Sequence, residues 1–165
     1  MRCKNCKDKF EPIHFNAKYC TKDACRTVWI ETAKVKQWTK EKKARKEKLE
    51  TVQDLMKKAQ KVFNTWIRKR DKGLNCISCG KADVGKRDAS HYYSSGGHKS
   101  VTFNPDNVHA SCVYCNQFLS GNLLNYQTGL TKRIGVERVF KLNEEAHKTR
   151  KFTREELKEI IKKYK

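Results

Sequence analysis

The sequence predicts a small α+β protein held together by two four-cysteine units rather than by one large core. Three observations predict it. The eight cysteines of the 165-residue chain fall into four close pairs: Cys3 with Cys6, Cys20 with Cys25, Cys76 with Cys79, and Cys112 with Cys115. Only 37% of residues are hydrophobic, which is little apolar surface for one extensive core. Residues 26–71 contain neither Gly nor Pro, whereas residues 74–130 carry short β-prone runs broken by turn residues. The expected order is a zinc-stapled N-terminal knuckle over 1–25, a long basic helical segment over 26–73, a ββα-metal core over 74–130 and basic C-terminal helices over 131–165.

Each short Cys loop supplies two thiolates, and two loops complete the tetrahedral shell of a structural zinc. The pairs therefore predict two Zn²⁺ sites, Cys3/Cys6/Cys20/Cys25 and Cys76/Cys79/Cys112/Cys115. The competing reading is a disulfide framework. The N-terminus MRCKNCKDKF has no apolar export stretch, no segment approaches transmembrane length, and a long lysine-rich region separates the pairs. These features favour metal ligands in a cytoplasmic protein.

In the first unit, Phe10, Ile13, Phe15 and Tyr19 are expected to form a small apolar cluster. His14 is not needed as a ligand, because four cysteines already complete the shell. The "KYC…ACR" ending resembles zinc knuckles whose last ligand opens a helix. The following helix is densely charged from Lys34 to Lys48 and should be solvated. From there Leu49, Val52, Met56, Ala59, Phe63 and Trp66 recur every three or four residues as one apolar stripe. That stripe packs on the second zinc unit or forms a dimer seam, and both can hold on different turns. Gly73 supplies the stop.

In the second unit, His91-Tyr92-Tyr93 and the runs Val101–Phe103 and Val108–His109 fit strand, loop, strand, with a turn at Asn104–Asp106. The run Asn116–Leu119 should open a helix, giving two strands and a helix pinned by zinc. Towards the C-terminus, Ile134, Val136, Val139, Phe140 and Leu142 are expected to dock back. Thr153-Arg154-Glu155-Glu156 has the capping-box pattern of a helix start.

The charge is the other strong signal. Against 18 Asp and Glu stand 38 Lys and Arg, a formal net charge of +20. Two tetrathiolate zinc sites, each carrying about −2, would lower it to roughly +16. Nucleic acid is the expected partner. A membrane surface is not, since no basic helix has a strong apolar face with lipid anchors.

At this point the chain resembles the NinG family of lambdoid phages, which includes a phage lambda recombination protein. The motifs that carry the resemblance are "FNAKYC", "FNTWIRKRDKG", "CISCG", "DASHYYSSGGH", "NVHASCVYCN" and "LSGN", spread over nearly the whole chain. More distantly, the second unit is similar to zinc-stapled HNH (His-Me finger) endonucleases. The matching residues are His91, Ser95-Gly96-Gly97, Asn107, and Cys112-x-x-Cys115 followed by Asn116.

The resemblance implies a phosphodiesterase. His91 would be the general base, oriented by Asn107 through its carbonyl or side chain. Asn116 would hold a catalytic Mg²⁺ or Mn²⁺ that stabilises the leaving oxygen. Many HNH nucleases have a second ligand just before the base, where this chain has Ser90; Asp88 and His109 are the substitutes considered. Lys86, Arg87, Tyr92, His98 and Lys99 are candidates for DNA contact. Tyr93 could stack on bases or join the core, and Asn122 and Tyr126 fit packing or phosphate contact. The implied activity is a structure-selective endonuclease of phage recombination, cutting branched DNA such as Holliday junctions and D-loops in the bacterial cytoplasm. Paired cuts at a junction favour a homodimer. The alternatives are a non-catalytic zinc-dependent DNA-binding accessory protein and a nuclease acting on RNA.

Overall fold

The computed structural model describes residues 1–82 and 85–165, with every side chain there except that of Lys48. The chain forms two compact units, Met1–Glu50 and Thr51–Lys165. In the first, an isolated antiparallel bridge joins Arg2 and Lys9 and closes the first Cys loop. Helix α1 spans Asp23–Leu49, and Cys25 lies in its first turn, so the last cysteine does open a helix. The small core is made of Cys3, Cys20 and Cys25, with Cys6, Phe10 and Tyr19 packed around them. Ile13 and Phe15 stay out of it, at 81% and 87% exposed.

The expected uninterrupted helix over 26–71 breaks at Glu50, whose backbone is extended. The cause is a capping box that needs no Gly or Pro. Thr51 Oγ1 accepts the Asp54 N–H at 3.2 Å, and the Asp54 carboxylate accepts the Thr51 N–H at 3.1 Å. Helix α2 then runs Val52–Arg70, and Gly73 beyond it takes a left-handed φ of 82°.

The buried stripe of α2 is Leu55, Ala59, Phe63 and Ile67; Ala59 and Phe63 were expected in it, and Met56 and Trp66 pack at its edge. Leu49 and Val52 are exposed. The stripe packs on Phe103, Val108, Leu157 and Tyr164, inside the same unit. This is the packing on the second unit that the sequence offered as one reading; the turns at Leu49 and Val52 stay outside it.

Strands β1 (Arg87–His91) and β2 (Val108–Cys112) pair antiparallel, with Ser90 opposite His109 and His91 opposite Val108. Tyr92 and Tyr93 lie beyond β1. Lys99–Val101 is a short 3₁₀ turn rather than a strand. Beyond β2, Tyr114–Phe118 is a π-helical turn, where an α-helix was expected. Gly121 and Asn122, at φ 90° and 51°, reverse the chain into α3 (Leu123–Ile134). Helices α4 (Val136–Ala146) and α5 (Arg154–Lys163) follow. α5 opens on the expected Thr153/Glu156 capping box. Leu142, Ile134 and Val139 dock as expected in a second core with Ile77, Val101, Tyr126 and Leu130, but Val136 and Phe140 are exposed.

The end of α2 is stitched to β2 by charge. Arg70 donates to both Asp71 carboxylate oxygens, at 2.6 and 3.0 Å, and to the carbonyls of Pro105 and Val108. Asp71, 3% exposed, also accepts the Ala110 N–H at 2.8 Å. Burial pushes this carboxyl up, but Arg70 and the Ala110 N–H outweigh it and hold it below its ordinary value. No described helix is long and apolar enough to cross a membrane.

Candidate functional site

The two predicted cysteine groups assemble as expected. In each, the four sulfurs lie within 4.8 Å of one another, and all eight cysteines are free thiols. Four sulfurs about 2.3 Å from a tetrahedral zinc would stand about 3.8 Å apart. Cys76 and Cys79 each lie 3.8 Å from Cys112, and Cys6 lies 3.7 Å from Cys20. The donor set and its spacing thus fit one zinc per group.

The local backbone prepares these sulfurs for charge. Cys112 N–H donates to Cys76 Sγ at 3.3 Å, Cys115 N–H to Cys112 Sγ at 3.4 Å, and Cys20 N–H to Cys3 Sγ at 3.3 Å. Burial raises the Cys76 thiol, but the N–H groups of Cys79, Cys112 and Ser78 prevail and bring it down to about 6. In the same cluster burial pushes Cys115 up to about 12, with Cys112 and Cys79 adding to the rise against the Asn122 amide. Four thiolates at this spacing repel one another, and a dication is what lets all four ionise.

The second cysteine group fixes what stands beside it. Its last pair joins the end of β2 to the π-helical turn, which carries Asn116 and Gln117 towards β1. Asn116 Nδ2 donates to Asp88 Oδ2 at 3.1 Å, and Gln117 Nε2 donates to the same oxygen at 2.8 Å. The structure thus brings Asp88 and Asn116 together, although 28 residues separate them. Gln117 is a member of this cluster that sequence reasoning missed. Its position next to Asn116 was the only signal.

His91, at the end of β1, is half-buried. Its Nε2 lies 3.2 Å from the Thr102 carbonyl. A carbonyl only accepts, so Nε2 carries the proton and Nδ1 keeps a lone pair. Burial pushes this imidazole below its usual value, partly opposed by the Thr102 bond, so it is neutral at pH 7. The ring partner is therefore Thr102, where Asn107 was expected. Asn107 is fully buried and holds the intervening loop instead: Oδ1 accepts the Tyr93 N–H at 2.8 Å, and Nδ2 donates to the carbonyls of Tyr93 and Val101.

The remaining candidates lie in varied surroundings. His109 is 2% exposed, its Nδ1 3.4 Å from the Tyr126 hydroxyl. Burial, helped by Arg70, pushes it down to about 4. It is neutral at pH 7 and packs against Tyr126. Tyr126 itself packs, as expected, and donates to the Ser90 carbonyl at 2.8 Å. Asn122 Nδ2 lies 3.7 Å from Cys115 Sγ, a packing role beside the metal cluster. His98 lies with Nδ1 2.9 Å from the Ala146 carbonyl, which docks the Gly-Gly loop on α4. The Tyr92 ring packs on Tyr93 and Tyr126, and the Tyr93 hydroxyl donates to Asn143. Arg87 donates to the carbonyls of Lys81 and Ala82, so its guanidinium ties down the loop before β1. Lys86 and Lys99 are exposed and open to an anion.

The family model described as "Bacteriophage Lambda NinG protein" matches residues 1–165. The chain belongs to the NinG family. Protein ninG of Salmonella phage P22 and that of Escherichia phage lambda are each 34% identical to it, over 99% of this chain and 89% of theirs. Protein ninG of Escherichia phage 933W is likewise 34% identical over 99% of this chain. No solved structure matches it. NinG membership thus covers both four-cysteine groups and the strand pair between them, as one continuous match.

Proposed function

We propose that this chain is a divalent-metal-dependent, structure-selective DNA endonuclease that cuts branched DNA, such as Holliday junctions and D-loops, in phage recombination. The observation that carries the proposal is the meeting of Asp88 with Asn116 beside the second cysteine group, on the strand that ends in His91. These are the residue types that phosphodiester hydrolysis needs. His91, with its proton on Nε2, offers Nδ1 to take a proton from water. Asp88 and Asn116 offer oxygen donors, the kind a hard cation such as Mg²⁺ or Mn²⁺ takes. Such an ion, when bound, stabilises negative charge on the leaving oxygen. By likeness to HNH nucleases, the products carry 5′-phosphate and 3′-hydroxyl ends. Asn107 acts as a positioning residue, holding the loop that carries the Thr102 carbonyl against the His91 ring.

The net charge of +20 supports a polyanionic substrate. No described element reads as a recognition helix for the major groove, which fits selection by shape rather than by sequence. Two cuts across a junction call for two copies of the chain. The buried residues of the α2 stripe, Leu55, Ala59, Phe63 and Ile67, are used inside the unit.

A second reading has one observation in its favour. Ser90, standing where many HNH nucleases carry a metal ligand, is buried with its carbonyl bound to Tyr126. That thin ligand set suits a DNA-binding accessory protein without catalysis. Purified protein incubated with labelled junction, duplex and single strand, with and without Mg²⁺, decides between them. Mg²⁺-dependent cutting of the junction is expected. No cutting of any substrate would overturn the nuclease reading.

A further inference from the structure

A cleft in the first unit lies beside the first cysteine group and takes in Ile13, Tyr19 and Cys20 along its wall. It has a volume of about 740 Å³, within the range of roughly 300–1,000 Å³ that holds a drug-sized group. One wall is a face of α1, where Arg26, Trp29 and Lys36 recur at helical spacing; the other is the cysteine knuckle, with Lys4, Ile13 and Lys18. No Asp or Glu lines it. None of the four cations forms an ion pair among the described residues. Trp29 is 53% exposed and Ile13 81% exposed, although both are large and apolar.

We infer that this cleft binds an unpaired segment of DNA, with a base stacked on Trp29 and the flanking phosphates on Lys4, Lys18, Arg26 and Lys36. The chemistry selects this occupant over others. Cations alone would fit any anion, and an exposed indole alone would fit any apolar group. Alternating π-faces and phosphates are what a single strand presents. A duplex hides its base faces within the stack, so it can reach the cations but not the indole. A branched substrate exposes unpaired bases where its arms meet, so the cleft would recognise the branch itself. The inference rests on the DNA-binding half of the function proposed above and not on cleavage.

The test is fluorescence anisotropy with the full chain, a labelled 12-nucleotide single strand and the same sequence as duplex, with no added divalent metal so that nothing is cut. Trp29→Ala should weaken single-strand binding at least fivefold, within the about 5- to 150-fold that loss of one stacked base costs, and duplex binding less than twofold. Trp29→Phe should restore most of the loss. Lys36→Gln should weaken both and lower the salt slope by about one. Zinc content and helicity check that each variant is folded; should Trp29→Ala not fold, Ile13→Ser on the exposed rim takes its place with the same expected pattern. Unchanged single-strand binding, equal losses for both DNA forms, displacement by polyglutamate as effective as by DNA, or tighter binding of the same sequence as RNA would each overturn the assignment. A wild-type chain that bound no DNA at all would overturn the broader DNA reading as well.

Discussion

Asn116 donates its side-chain amide to Asp88 Oδ2 at 3.1 Å, joining the π-helical turn after the last cysteine to strand β1. This contact makes Asp88 the carboxylate that a metal beside Asn116 would use. Asp88→Ala should therefore lower junction cutting by about 10²-fold or more at fixed Mg²⁺, the scale of losing part of a metal's charge stabilisation. Junction affinity should change less than threefold. Comparable cutting by the variant in a gel assay would remove Asp88 from the site.

His91→Ala should bind the junction normally and cut it about 10²- to 10⁴-fold more slowly, the usual worth of a general base. The pH profile carries a sign. Burial lowers the His91 pKa, and a general base acts in its neutral form. Cutting should be on its plateau at pH 7 and fall only as pH drops below about 6.5, the ordinary imidazole value. A rate still climbing between pH 7 and 8 would contradict this, provided zinc content stays constant across the range.

Metal analysis should find about two zincs per chain. Cys25→Ser should lower that to about one and leave the melting of the second unit in place. Cys115→Ser should also leave about one zinc but abolish cutting, because the π-helical turn that carries Asn116 loses its anchor. Equal effects of the two substitutions on cutting would show that the zinc clusters do not act separately.

Gly129 on α3 faces the backbone of the second cysteine loop so closely that a Cβ there would stand 1.9 Å from the Ile77 carbonyl oxygen. Gly129→Ala should cost at least the about 1–3 kcal/mol of an overpacked site. Thr51→Ala, which removes only the α2 cap, should cost about 1 kcal/mol. Thermal melts of the two variants should rank in that order.

Junction affinity should fall steeply with salt, since many Lys and Arg displace condensed counterions. A nearly flat logarithmic plot between 50 and 200 mM would contradict phosphate-driven binding.

Much of this was legible in the chain. The spacing of the cysteines predicted both clusters, because ligands a few residues apart must share a metal whatever the remainder does. The Thr153/Glu156 box predicted the start of α5, because a cap is decided within four residues. The Thr51/Asp54 box was equally local but uses Asp in place of the more familiar Glu or Gln, so the break between α1 and α2 went unread. Of the expected α2 stripe, Ala59 and Phe63 are buried and Met56 and Trp66 pack at its edge, whereas Leu55 and Ile67 take the places expected of Leu49 and Val52. Both pairs are apolar enough to be part of a core face, and only contact with α5 and β2 chooses between them.

The sequence by itself determined the metal-binding chemistry, the overwhelming positive charge and the family, all of which reside in residue type and short spacing. Tertiary structure alone decided the surroundings of the candidate residues. Strand pairing buried His109 beneath Tyr126, and the loop held by Asn107 set Thr102 against the His91 ring. The turn after Cys115 carried Asn116 onto Asp88. The physical reason is that a metal loop is closed by neighbours in sequence. Burial and hydrogen bonding across a sheet are set by residues that meet only after the chain has folded.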